Sequence, residues 1–219
     1  MGIPHTPRAI EAVQLMRTRT NAAAEREAAV ARFVELAMVM SVQECIDVGF
    51  DFADATDHSG MLEVPRWFGD AESHGMLDLD LSPDRSHRAL GWSGATPRRS
   101  ARLWIDGREQ ALPTFPHGSP LAEPPGWWND PRFFAASLIT PDHPLQDWSV
   151  MPGTGQIRGL FIADADSGRH WVVQPRSDEA WEAPLLRFDG ARLRVYADRA
   201  ALDAGVAARV VDVDPPIPA

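Results

Sequence analysis

Residues 30–46 read VARFVELAMVMSVQECI, and this stretch carries the clearest structural signal in the chain. Apolar residues recur in it at positions i, i+3, i+4 and i+7, which is typical of a helix that buries one face. The residues of that face are Val30, Phe33, Val34, Ala37, Met38, Ser41, Val42, Cys45 and Ile46. Further apolar residues widen the face, so we expect the middle of this helix to be buried and Gly49 to end it.

A shorter helix is predicted upstream of this one. Thr6 followed by Pro7 is a favourable helix start, because a side-chain acceptor at the N-cap precedes a proline at the first helical position. Residues 18–21 (TRTN) are weaker helix formers and favour a turn. We therefore expect a helical hairpin over residues 5–49, with its Met-rich stripe in the core.

Strand patterns dominate beyond residue 100. Asp106-Gly107 and Asp189-Gly190 are strong hairpin turn signals, and residues 164–168 form a third turn-like segment between apolar runs. The predicted strands cover residues 101–105, 108–112, 133–139, 148–150, 159–163, 170–174, 185–188, 192–196 and 210–213. Residues 101–214 are therefore predicted to form an antiparallel β meander.

The predicted fold class is α+β, with the N-terminal helical hairpin packed on a mostly antiparallel curved β-sheet or small sandwich. A chain of 219 residues is expected to form a single domain over residues 1–219. Residues 50–100 are interpreted as an acidic, irregular connection. Within it, Met76 to Leu81 alternates apolar and acidic residues, which predicts a half-exposed strand.

The composition excludes several functional classes. All 21 basic residues are arginines, so the chain cannot form a lysine Schiff base or supply the lysine of a phosphate-binding P-loop. Cys45 is the only cysteine, which rules out an intramolecular disulfide. No apolar run is long enough to cross a bilayer. We expect a cytoplasmic protein without a cofactor.

The negative charge is concentrated in one part of the chain. The net charge is −10, and residues 51–85 hold nine acidic residues against two arginines, a net of −7. Such a field repels nucleic acid and anionic membranes and attracts a basic protein. We expect a basic protein partner, and no nucleic-acid or membrane partner. The candidate binding residues are Asp51, Asp54, Asp57, Asp78, Asp80, Trp127 and Trp128.

These features favour a non-catalytic protein-binding protein. An immunity protein or antitoxin, which neutralises a cationic toxin, would have this size and acidity and would lack a catalytic motif.

Two alternatives remain open. The first is a metal-dependent or acid–base hydrolase, because carboxylates and imidazoles near Asp54, Asp57, His58 and His74 could bind a cation or relay protons. Their spacing matches neither an EF-hand loop nor a zinc signature. The second is a carbohydrate- or peptide-binding β module, in which exposed rings of Trp127, Trp128 and Trp148 form a platform.

Overall fold

The computed structural model describes residues 4–17, 22–53, 57–64, 75–94, 101–113, 126–140, 142–147 and 156–213. The chain is an α+β protein with a helical N-terminal region and three antiparallel sheets, as the sequence predicted. It divides into two compact units, Met1–Leu112 and Pro113–Ala219. The expectation of a single domain stays a prediction.

Three helices open the first unit: α1 (Pro7–Arg17), α2 (Ala23–Val39) and α3 (Val42–Val48). Thr6 begins α1 as predicted, since its Oγ1 accepts the backbone N–H of Ala9 at 3.2 Å. Gly49 ends α3 with a φ of 120°, a backbone conformation that suits glycine.

The long second helix of the predicted hairpin is divided in two. Ser41 caps α3, because its Oγ accepts the N–H of Glu44 while the Glu44 carboxylate accepts the N–H of Ser41 at 2.7 Å. This reciprocal capping box starts a new helix where the apolar periodicity alone predicted a continuous one. Arg88 holds the end of α2 in place by donating from Nη1 to the carbonyl oxygens of Ala37 and Met40.

The described residues between 50 and 100 do not form an irregular connection, which corrects the sequence interpretation for residues 50–53, 57–64 and 75–94. They form β1 (Asp51–Phe52), β2 (Ser59–Val64), β3 (Gly75–Leu81) and β4 (Arg88–Gly94), which β5 (Arg102–Ile105) and β6 (Arg108–Glu109) extend to a six-stranded sheet in chain order. Apolar side chains at every second position supply one face of this sheet to the helical core. They are Leu62, Val64, Leu77, Leu79, Leu81, Leu90, Trp92 and Trp104.

The face of the six-stranded sheet that packs on the helices is called the inner face, and the opposite one the outer face. Strand β3 alternates as predicted, with its leucines on the inner face and its aspartates on the outer face. It is not half-exposed, however, because Asp78 and Asp80 are only 6% and 8% exposed.

The predicted turn at Asp106-Gly107 joins β5 to β6. Both residues have positive φ, 48° and 78°, as a tight hairpin turn of this kind requires. The return strand covers two residues instead of the predicted five, 108–112.

The second unit contains two sheets that share one core. One sheet has the order β10 (His170–Val173), β9 (Arg158–Asp164), β8 (Phe133–Ile139), β7 (Trp127–Trp128), and the other comprises β11 (Leu185–Phe188), β12 (Arg192–Tyr196) and β13 (Arg209–Asp212). A short helix, α4 (Arg199–Asp203), precedes β13. The shared core contains Phe133, Ala135, Leu160, Ile162, Trp181, Leu186, Leu193 and Val195.

Two sheets over one core make this second unit a small sandwich. Strands beyond residue 100 do not form one meander over 101–214, because they are divided among three sheets. The predicted strand at 148–150 lies outside the described residues.

Candidate functional site

Most of the described acidic residues in the predicted binding segment lie on the outer face of β1, β2 and β3. Met61 is the cross-strand partner of Asp51 on one side and of Asp78 on the other. Ser59 pairs with Asp80, and Glu63 pairs with Met76. Directly opposed residues of an antiparallel pair point to the same face, so this face carries four carboxylates together with two methionines, Met61 and Met76.

Exposure separates these carboxylates into two groups. Asp51 and Glu63 are exposed, and Met61 between them is 50% exposed. Asp78 and Asp80 are buried. We call the exposed group, Asp51, Met61 and Glu63, the acidic patch.

The burial of Asp78 and Asp80 corrects their assignment as surface binding residues. Burial raises the pKa of Asp80 to about 7, an effect that the nearby charge of Asp78 reinforces and a hydrogen bond from Ser59 opposes. A carboxyl group in this state exchanges its proton near neutral pH instead of presenting a fixed charge to a partner.

Of the residues in the hydrolase alternative, the structure describes Asp57 and His58. The Asp57 carboxylate accepts the backbone N–H groups of Ala53, at 3.2 Å, and His58, at 3.0 Å. The His58 side chain is exposed. Asp54 and His74 lie outside the described residues. In the described part of the chain, no group of three or more His, Cys, Asp or Glu side chains is arranged to hold a metal ion.

The two described tryptophans of the platform alternative point in opposite directions. Trp127 and Trp128 are neighbours on β7, and successive side chains of a strand lie on opposite faces. Trp127 packs against the core of the second unit, whereas the ring of Trp128 meets that of Phe134 edge-on, 5.4 Å between centroids. Both are half-buried, so they do not form one flat platform. Trp148 lies outside the described residues.

Met61 is the residue of the acidic patch that the charge pattern missed. A signal for it was present, because Gly60, Leu62 and Val64 alternate with Ser59, Met61 and Glu63 along β2. As a strand, this segment places Met61 with Ser59 and Glu63 on the face opposite the core-facing Leu62 and Val64.

The fold and the patch define an α+β protein with an acidic, partly apolar surface on the edge of its first sheet. No family model matches the sequence, and no curated protein or solved structure matches it either. None of the helices in the described part of the chain has the length and apolar character needed to span a membrane.

Proposed function

We propose that this chain is a non-catalytic binding protein that holds a basic protein partner through the acidic patch, in the manner of an immunity protein or antitoxin. The observation that supports this proposal best is the half-exposed Met61 beside the exposed carboxylates of Asp51 and Glu63.

An apolar side chain rimmed by carboxylates suits a particular type of partner surface. Burial of Met61 supplies the non-directional part of the binding free energy. Asp51 and Glu63 select against anionic partners and favour arginine or lysine beside the apolar contact. The exposed carboxylates of Asp51 and Glu63 attract a basic protein to this face and raise its association rate.

The proposal is tested with the double variant Asp51→Asn/Glu63→Gln. The matched control is Asp178→Asn/Glu182→Gln, which removes two exposed charges from the second unit. The probes are the purified basic proteins encoded beside this gene. We expect the association rate, measured by surface plasmon resonance, to fall about tenfold in the patch variant and much less in the control.

Two further measurements test the proposal, the salt dependence of association and the effect of shortening Met61. In the wild type, raising the salt from about 50 to 300 mM should slow association, since screening shortens the reach of exposed charges. Met61→Ala should chiefly accelerate dissociation, because it removes contact area and leaves the charge unchanged. The proposal fails if no basic neighbour binds, or if the patch and control variants lose affinity equally.

A further inference from the structure

The three-stranded sheet of the second unit has one face in the core, and its opposite face presents Arg187, Arg192 and Val210 to solvent. Leu186, Leu193 and Val195 belong to the core face. Their neighbours along the strands point the other way, and cross-strand pairing places Arg187 opposite Arg194 and Arg192 opposite Asp212 on that side. We call Arg187, Arg192 and Arg194 the arginine face.

The pairing of Arg187 with Arg194 is unfavourable for the free protein. Cβ atoms of directly opposed residues in an antiparallel pair lie roughly 4.5–5.5 Å apart, and like charges at this spacing destabilise the sheet. Asp189 relieves one side by accepting a hydrogen bond from Arg194 Nε at 2.7 Å. No described residue forms an ion pair with Arg187, which is exposed.

The acidic residues of the same face do not remove its basic character. Arg192 and Asp212 form an ion pair at 3.1 Å, but their side chains are 56% and 68% exposed. Exposed pairs of this type contribute little and exchange readily with solvent or a partner. Three arginines against two aspartates leave a positive face on a chain whose net charge is −10.

An exposed apolar residue borders the arginines. Val210 is the cross-strand partner of Arg194 and is 48% exposed. The row from Arg187 through Arg194 to Val210 therefore crosses all three strands, with two guanidinium groups followed by an apolar contact.

From this arrangement we infer that the arginine face is a second binding surface, which docks a short acidic segment of a partner protein. Guanidinium groups recognise carboxylates through paired, charge-assisted hydrogen bonds. Two carboxylates of the segment neutralise the Arg187–Arg194 repulsion, and an apolar side chain beside them covers Val210. This surface belongs to the second unit, so the inference does not depend on the proposed function of the acidic patch.

The test uses the full chain and a fluorescein-labelled peptide that contains four acidic residues and one leucine. Fluorescence anisotropy at low salt should show binding that weakens as salt is added. Arg187→Glu should weaken it about tenfold, because it reverses one charge and engages Arg194 internally. The control Arg199→Glu changes the same charge on α4, where the side chain is 78% exposed, and should leave affinity within about twofold.

Misfolding cannot mimic the expected result. Arg187→Glu replaces a like-charge pair by an opposite-charge pair, so its melting temperature should equal or exceed that of the wild type. The inference is overturned if the peptide does not bind, if Arg187→Glu binds it as tightly as the wild type, or if Arg199→Glu loses as much affinity. It is also overturned if a labelled oligothymidylate binds more tightly than the peptide, since the face would then recognise nucleic-acid phosphates.

Discussion

Single carboxylates in this protein titrate far from their ordinary range, in both directions. Hydrogen bonds from Thr6 Oγ1 and the Ser41 backbone hold the pKa of Glu44 at about 2, although Glu44 is buried. Burial instead raises the pKa of Asp80 to about 7. The largest cause of the Glu44 shift is Thr6, which is distant in sequence, and the largest cause of the Asp80 shift is burial, so spacing along the chain could not distinguish the two. Sequence reasoning placed Asp80 on the surface for this reason.

The raised pKa of Asp80 predicts a stability that declines with pH. The folded protein retains a proton that the unfolded chain releases near pH 4, so the contribution is complete below about pH 4 and is lost as pH rises through about 7. Asp80→Asn should therefore remove part of this decline. Urea unfolding at several values between pH 4 and 8 measures it, and Asp178→Asn, an exposed residue, is the control.

Two outcomes of that titration are decisive. The difference in unfolding free energy between the wild type and Asp80→Asn should change steadily from pH 4 to 8. The corresponding difference between the wild type and Asp178→Asn should stay constant over the same range. Wild-type and Asp80→Asn curves that run parallel would show that Asp80 keeps an ordinary pKa in the folded chain.

At the scale of helices and strands, the sequence predicted individual helix ends more accurately than it predicted how the elements pack together. The predicted starts and ends at Thr6 and Gly49 are confirmed, because each depends on neighbours a few residues away. The break at Ser41 was also readable, since Ser41 and Glu44 have the spacing of a capping box. Burial of the aspartate face of β3 was not readable, because it depends on tertiary packing.

An ion pair whose removal should be costly joins Arg132, the residue before β8, to Asp164 at the end of β9. Arg132 donates from Nε and Nη2 to both oxygens of Asp164, at 2.8 and 2.6 Å, and Asp164 is only 1% exposed. Arg132→Met leaves this buried carboxylate with less compensation. Because Arg132 itself is 31% exposed, we expect a loss of about 2–3 kcal/mol in unfolding free energy, below the range for fully buried pairs.

The exposed pair between Arg192 and Asp212 provides the comparison. Arg192→Met should cost less than about 1 kcal/mol, since both partners are solvent-exposed. Both variants are measured by urea unfolding at neutral pH. Equal losses in the two would show that burial of Asp164 adds nothing to the value of its ion pair.

For the whole molecule, the sequence predicted the class of the fold and the sign of its charge. A hydrophobic pattern shows that a segment is buried without showing which core buries it, so the assignment of segments to the units Met1–Leu112 and Pro113–Ala219 depends on tertiary contacts. The same limit applies to the candidate sites. The distribution of charge along the sequence identified residues 51–85 as acidic. The strand register was needed to show that Asp51, Met61 and Glu63 lie on one face.

We expect the opposing pKa shifts of Asp164, Glu44 and Asp80 to set the pH at which the whole chain is most stable. Asp164 is buried, which by itself favours the protonated form, yet hydrogen bonds from Arg132 and Ser167 lower its pKa to about 2, as other contacts do for Glu44. Stability from these two groups is complete above about pH 4.5 and is lost as pH falls toward 2. The stability that Asp80 contributes is instead lost as pH rises from about 4 to 7. The unfolding free energy should therefore peak near pH 4.5–5.

That optimum nearly coincides with the isoelectric point, about 5.1, where weak net charge favours association and precipitation. We therefore expect the protein to be most stable close to the pH at which it is least soluble. Urea unfolding and polyethylene glycol precipitation, both measured from pH 3 to 8, check the two curves together. A stability maximum at pH 7 or above would mean that the exposed carboxylates and their arginines, not the buried Asp80, set the pH dependence of folding.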